Sequence, residues 1–211
     1  MHDYFLDDVN KSSAAPITKP VVAMAHVGPN MANAFYDPDY DNFFFGDTDL
    51  GGASPSDVFT EDATVPHHEY VHYLVEKIWS IQNYGQAGAI SEANADYFSA
   101  SSLDYPFIGL HVNGGMPLRT LDCQATLPDG SSPTCFRLGV TGWSGEIHED
   151  SPFVSQALWD IRRRRIAELG SRDLGRSCAD GLQFQALLFF PESFEELYEA
   201  RLIKVLYCTS T

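Results

Sequence analysis

Residues 68 to 72 read His68-Glu69-Tyr70-Val71-His72, and nineteen residues (73 to 91) separate them from Glu92 in Gly88-Ala89-Ile90-Ser91-Glu92-Ala93-Asn94-Ala95-Asp96. Imidazole nitrogens and a carboxylate oxygen are donors that suit zinc. On a helix, positions i and i+4 lie about 40° apart around the axis, so His68 and His72 present imidazoles to one ion. Glu69 sits one residue round, close enough to reach a metal-bound water without itself being a ligand. Glu92, arriving on a second helix, supplies a third donor and leaves one position open to water. Asp96 is four residues beyond Glu92 on the same helical face, where a carboxylate would orient a ligand imidazole. His67 points about 100° away from His68 and is read as a supporting or surface histidine. The chemistry available to this set is metal-assisted hydrolysis.

Positioning these groups requires a fold. At 211 residues and 44% apolar, the chain buries the core of one sizeable domain or two small ones. Residues 2–10 read as a helix end, and Val21 to Val27 as a strand. Residues 33–45 read as an edge strand or hairpin interrupted at Asp37-Pro38-Asp39, because proline cannot donate to a central ladder. Ser54-Pro55-Ser56-Asp57 is a start signal for the helix carrying His68, expected to run to about Ile81. A second helix is expected over residues 90–101, then loop with small strands over 105–145. Two amphipathic helices follow, residues 152–169 and 182–203, the latter with a break near Pro191. Strands, then site helices, then a helical remainder make an α+β fold. The chain divides into 1–103, with the edge strand and donor helices, and 104–211, loop-rich and then helical.

A net charge of −16 and a pI near 4.6 disfavour nucleic acid and anionic membrane as partners, since both require a basic surface. Arg162 to Arg165 is the basic exception, read as a solvated turn complementing a helix C-terminus rather than a binding patch. No run approaches the ~20 apolar residues of a membrane helix. Residues 1–8 lack the positive flank and apolar centre of a signal peptide.

The segment from His68 to Asp96 resembles the thermolysin family of secreted neutral metalloendopeptidases. These carry His-Glu-x-x-His, the same gap, and a glutamate in Gly-Ala-Ile-Asn-Glu-Ala-x-x-Asp, which this chain matches with Ser91 in place of Asn. The zinc aminopeptidases that share the general pattern use a gap one residue shorter, and the fungalysin-like enzymes a longer one. Three further segments follow in the family's order. Asn33-Ala34-Phe35-Tyr36 looks like the edge strand whose main chain holds an extended substrate. Pro117-Leu118-Arg119 looks like the pair whose guanidinium grips a substrate carbonyl. Ile147-His148-Glu149-Asp150-Ser151 looks like the element whose imidazole stabilises the transition state.

The resemblance implies a zincin-like core, one catalytic Zn2+ on His68, His72 and Glu92, and Glu69 as general base. It also implies peptide or protein substrates, an apolar pocket near Val65 and Leu118, and an extracellular location. Cys123 and Cys135 bracket a turn-rich loop of hairpin type, which in an exported protein favours a disulfide there, with Cys178–Cys208 as the remaining pair and four reduced thiols as the alternative. The chain opens where a family member would already be in a helix before the edge strand, which reads as a truncated catalytic core.

Departures from the family pattern qualify these expectations. Where the family places a tyrosine nine residues before the zinc glutamate, this chain has Asn83, and Tyr84 next to it is taken as the donor to the oxyanion. The carboxylate that orients the catalytic histidine in the family is Trp143 here, leaving Glu146 or Asp150 for that task. The family's paired calcium positions fall on residues such as Thr64 and Leu103. Asp37, Asp39, Asp41, Asp47 and Asp49 could hold Ca2+ elsewhere, a solvated acidic loop being favoured. An alternative for the whole chain is a catalytically inactive zinc-binding module or incomplete fragment. Against it stands Glu69, which a structural zinc site does not need. An aminopeptidase is a third reading, disfavoured by the gap and by the lack of an amine-binding glutamate motif.

Overall fold

The alternation of residues 42–45 sets the upper part of the molecule. In the computed structural model, which describes residues 1, 3–5, 20–28, 31–47, 59–135 and 142–204, Phe43 and Phe45 of β3 (Asn42–Phe45) turn inward while Asn42 and Phe44 are only partly covered. β3 is the middle strand. It pairs in parallel with β1 (Val22–Ala25) and antiparallel with β2 (Ala34–Asp37), so β2 is an edge. The turn between β2 and β3 contains Asp41 at φ 53°. Phe35 stacks on Phe44 across the pair, with centroids 5.0 Å apart. The inward phenylalanines join Phe59, Val65, Tyr73 and Val112 in a cluster that seats the sheet on α1 (Thr64–Ile78).

The larger core surrounds α2 (Gly85–Leu103), in which every residue from Ala87 to Ser101 is buried. A helix enclosed on all sides needs small residues where neighbours approach, and α2 supplies Ala, Ser and Gly. At Gly88 an added Cβ would lie 2.6 Å from Ile147 Cγ2, so only glycine admits this approach to α3 (Ile147–Asp150). The apolar partners include Val71 and Leu74 of α1, Ile90 and Phe98 of α2, Leu158 and Trp159 of α4 (Pro152–Leu169), and Phe184 and Leu187 of α5 (Arg172–Leu187). Each large side chain contributes roughly 1.5–3 kcal/mol by leaving water. The cluster draws on residues from both sides of position 104. A two-stranded pair, β4 (Phe107–Ile108) and β5 (Arg119–Thr120), and α6 (Phe194–Lys204) complete the order. The fold is α+β, as expected. No described helix is long and apolar enough to cross a membrane.

Several boundaries differ from expectation. Ser54-Pro55-Ser56-Asp57 lies outside the described residues, and α1 begins only at Thr64. Its start is set by buried Asp62, whose Oδ1 accepts from Thr64 N at 3.0 Å and Thr64 Oγ1 at 2.5 Å. At its end α1 stops at Ile78. α2 begins five residues earlier than expected. α4 matches at both ends, with Pro152 in the first turn and Gly170 left-handed at φ 61°. α5 starts ten residues before Leu182, capped by Ser171 Oγ, which accepts from Leu174 N. The break near Pro191 is present, and Ser193 Oγ accepts from Glu196 N to open α6. Of residues 2–10, Asp3 to Phe5 are helical and 6–10 lie outside the described residues.

The arginine run is a correction. Arg162 is 2% exposed in the middle of α4, donating to Ser101 Oγ at 2.9 Å and to Asp104 at 2.5 Å. Arg163 binds Asp122 and Gln124, and Arg165 binds Glu168. A buried cation needs such partners, and here they are supplied from α2 and its C-terminus. The acidic residues of the first hairpin occupy separate contacts. Asp41 accepts from Tyr36 and Lys77, Asp37 from Asp39 N, and Asp47 faces His26, while Asp49 lies outside the described residues. Cys123 and Cys135 form a disulfide with Cα atoms 5.7 Å apart. Cys178 is oxidised too, and its expected partner Cys208 lies outside the described residues.

Candidate metal centre

α1 and α2 cross so that three donor groups meet between them. His68 Nε2 and His72 Nε2 are 3.0 Å apart, and each is 3.2 Å from an oxygen of Glu92. Two histidines four residues apart on α1 thus do converge, and Glu92 closes the triangle from α2. A tetrahedral zinc with ligands at about 2.0–2.2 Å has ligand–ligand edges of roughly 3.3–3.6 Å, so the spacing fits the ion after slight expansion. Glu92 Oε2 is buried beside His68 Nε2, 3.2 Å away. A buried carboxylate held between two imidazoles exchanges the proton it shares with them for a divalent cation. Among the described residues this is the one group of three or more His, Cys, Asp or Glu side chains that converges in this way.

The groups behind the donors are charged and buried. His68 Nδ1 lies 2.9 Å from Asp96 Oδ1. Arg119, on β5, donates twice to the same carboxylate, at 2.6 and 2.7 Å. Burial alone would lower the His68 pKa, but the Asp96 and Glu92 carboxylates win and hold it up at about 10. Burial likewise opposes ionisation of Glu92, yet the two imidazoles keep its carboxyl well below the usual range. Arg119, with His68, keeps Asp96 low against its burial. Ser91 Oγ sits 3.4 Å from His72 Nδ1, so the residue that replaces the family's asparagine faces the second imidazole. Nothing in the spacing alone had singled it out.

Glu69 is 5% exposed and faces two cavities, one of about 360 Å3 and one of about 90 Å3. The larger has Asn33, Ala34, Phe35 and Tyr36 on one wall, which places the β2 edge over the donors. The smaller is apolar at Phe59, Val65, Ile108 and Leu118. His148 opens onto both. Its Nδ1 is 2.7 Å from Glu146 Oε1, and its Nε2 is 3.5 Å from Glu92 Oε2. Of the two carboxylates considered for orienting it, Glu146 is the partner. Asp150 is instead buried, accepting from Ser144 N, Ser144 Oγ and Gly145 N to shape the loop before α3. Trp143 packs its ring on Phe194 of α6.

One expectation is revised, and the alternatives for His67 are narrowed. Tyr84 is 67% exposed at the N-terminus of α2 and lines neither cavity, whereas the neighbouring Asn83 lines the larger one. Starting α2 at Gly85 turns the tyrosine outward and leaves Asn83 facing in. His67 faces α2, with Nδ1 2.9 Å from Ser102 Oγ, and burial pushes its pKa down to about 4. It supports the helix pair rather than the donors.

No family model and no curated protein matches the sequence. Among solved structures, the chain is similar to "Precursor of Protealysin, Metalloproteinase from Serratia proteamaculans", with a TM-score of 0.73 and 19% identity over 98% of this chain and 69% of that one. With donors on α1 and α2 beneath a sheet edge, this chain has the fold of a metalloproteinase precursor.

Proposed function

We propose that the chain is a zinc-dependent endopeptidase. The observation that carries this is the meeting of His68, His72 and Glu92 at the floor of a cleft whose rim is an edge strand, with Glu69 facing the same space. His68, His72 and Glu92 would hold the zinc, which would supply a Lewis acid for a carbonyl and lower the pKa of a water toward about 7. Glu69 takes the proton of the attacking water and passes it to the leaving amine. His148, fixed at Nδ1 by Glu146, turns Nε2 to the cleft and donates to the oxyanion. Arg119, anchored by Asp96, offers its remaining donors to a substrate carbonyl. Ala34, on the outer edge of β2, holds the extended peptide main chain by strand addition, while Asn33, whose N–H and carbonyl already bond Met31 O and Gly46 N, offers its side-chain amide. The apolar pocket at Val65 and Leu118 receives a bulky hydrophobic side chain just after the cut.

The test uses a hydrophobic peptide blocked at both ends, which an aminopeptidase cannot cut. Zinc-loaded protein is expected to cleave it, a chelator to stop cleavage, and stoichiometric zinc to restore it. Protein that holds one zinc per chain and leaves such peptides whole would be an inactive zinc-binding module instead.

A further inference from the structure

Three cavities adjoin at His148. The first, about 360 Å3, contains the metal donors. The second is the apolar pocket of about 90 Å3. The third, about 550 Å3, lies beyond Leu118 and Arg119, between Met116, Thr134, Gln156 and the loop and turn that carry Ser144 and Glu149. His148 lines all three, and Leu118 and Arg119 line the second and third. A peptide lying on the metal donors thus has space continuing to either side.

The charge along this trough is one-sided. The first cavity is lined by Glu69, Glu76 and Glu92 and by no lysine or arginine. Glu92 is a metal donor and Glu69 stands at the reacting centre, which leaves Glu76, one turn beyond His72 on α1. In the third cavity Asp150 is taken up by its own loop and Arg119 by Asp96. Glu149 remains, exposed. Among the described residues neither the Glu76 nor the Glu149 carboxylate has a hydrogen bond or ion pair. Both stand in a protein of net charge −16, whose field draws cations toward its clefts.

We propose that the trough selects cationic peptides, with Glu76 receiving a lysine or arginine side chain on one side of the cut bond and Glu149 receiving one on the other. This rests on the endopeptidase reading, which lays the substrate along the trough. Each carboxylate gains an ammonium or guanidinium partner, half-buried at Glu76 and exposed at Glu149, and salt weakens each pair.

The experiment compares end-blocked peptides that share one apolar residue after the cut and carry Lys, Gln or Glu two and three residues to either side. For the zinc-loaded full chain, kcat/KM is expected to rank Lys above Gln above Glu. The gap should lie mainly in KM, at about three- to fivefold per pair, and shrink with added salt. Glu76→Gln should erase the preference on one side only and Glu149→Gln on the other side only, while Glu149→Lys should invert it there. Binding of the same labelled peptides to zinc-loaded Glu69→Gln is read in parallel by fluorescence anisotropy. Equal cleavage and equal binding of Lys and Gln peptides overturns the selectivity and leaves the protease reading intact. No cleavage, but Lys-selective binding that Glu76→Gln and Glu149→Gln weaken, keeps the trough and overturns the protease reading. Neither cleavage nor selective binding overturns both.

Discussion

Helix α2 carries two buried polar clusters, each built around carboxylates, whose hydrogen bonds close differently. On one face Tyr97 and Ser101 meet Asp180 of α5. That carboxylate accepts from Tyr4 Oη at 2.7 Å, Tyr97 Oη at 2.6 Å and Ser101 Oγ at 2.8 Å, while Arg162 caps Ser101. On the other face Glu92 and Asp96 meet His68 and His72. There two imidazole nitrogens lie 3.0 Å apart, and each is 3.2 Å from a Glu92 oxygen. Both clusters are desolvated, but the second holds together without metal only by keeping a proton on His68. A closed network holds helices together, whereas an open one with convergent donors is completed by a cation. Burial and charge alone would not have told them apart.

Breaking the closed cluster should have the largest effect on stability. Asp180→Ala leaves three hydroxyl donors without an acceptor and is expected to cost at least about 3 kcal/mol in denaturant unfolding. Zinc affinity of the folded fraction should be unchanged. A variant that loses zinc without losing stability would reverse the assignment of the two clusters.

Asp96→Asn should do the opposite. It removes the charge behind His68 and the anchor of Arg119, so zinc affinity is expected to fall about 10–100-fold with a smaller loss of stability. Unchanged affinity in competition with a chromogenic chelator would show that Asp96 does not act through His68.

The open cluster should also respond to pH. With its pKa held at about 10, His68 is protonated in the metal-free protein at neutral pH, and zinc must displace that proton. Affinity should therefore fall about tenfold per unit as pH drops below 10 while this proton is displaced. Calorimetry in buffers of different ionisation enthalpy should detect its release. For the metal-free fold the sign differs. The raised His68 pKa adds stability that is fully present below about 6.5 and lost as pH rises through about 10. Glu92 and Asp96, whose pKa values are lowered, add stability that is lost in acid. Metal-free unfolding that gains stability from pH 8 to 10 would contradict this.

Ser91→Ala is expected to give the smallest effect, below about fivefold in zinc affinity, because its contact with His72 is long at 3.4 Å.

The legible parts of the sequence were those where one local rule dominates. α4 was bounded at both ends because Pro152 and Gly170 punctuate it. The donor pair followed from helical spacing, and of the edge strand or hairpin expected over residues 33–45 the structure has the hairpin, turned at the Asp37-Pro38-Asp39 interruption. Other features depend on partners distant in the chain. Asp62 sets the start of α1 while also accepting from His111 N, a contact no local pattern announces. Arg162 is drawn inside by Ser101 and Asp104. Asn83 faces the cleft in place of Tyr84 because of where α2 begins, and Glu146 rather than Asp150 holds His148 because the Ser144–Gly145 loop occupies Asp150.

The most direct measurement is zinc content and blocked-peptide turnover for the native chain and Glu69→Gln side by side. One zinc per chain in both, with turnover reduced at least about 10²–10⁴-fold in the variant, is the predicted result. Near-normal turnover in Glu69→Gln, or well-folded protein that holds no zinc, would contradict the account.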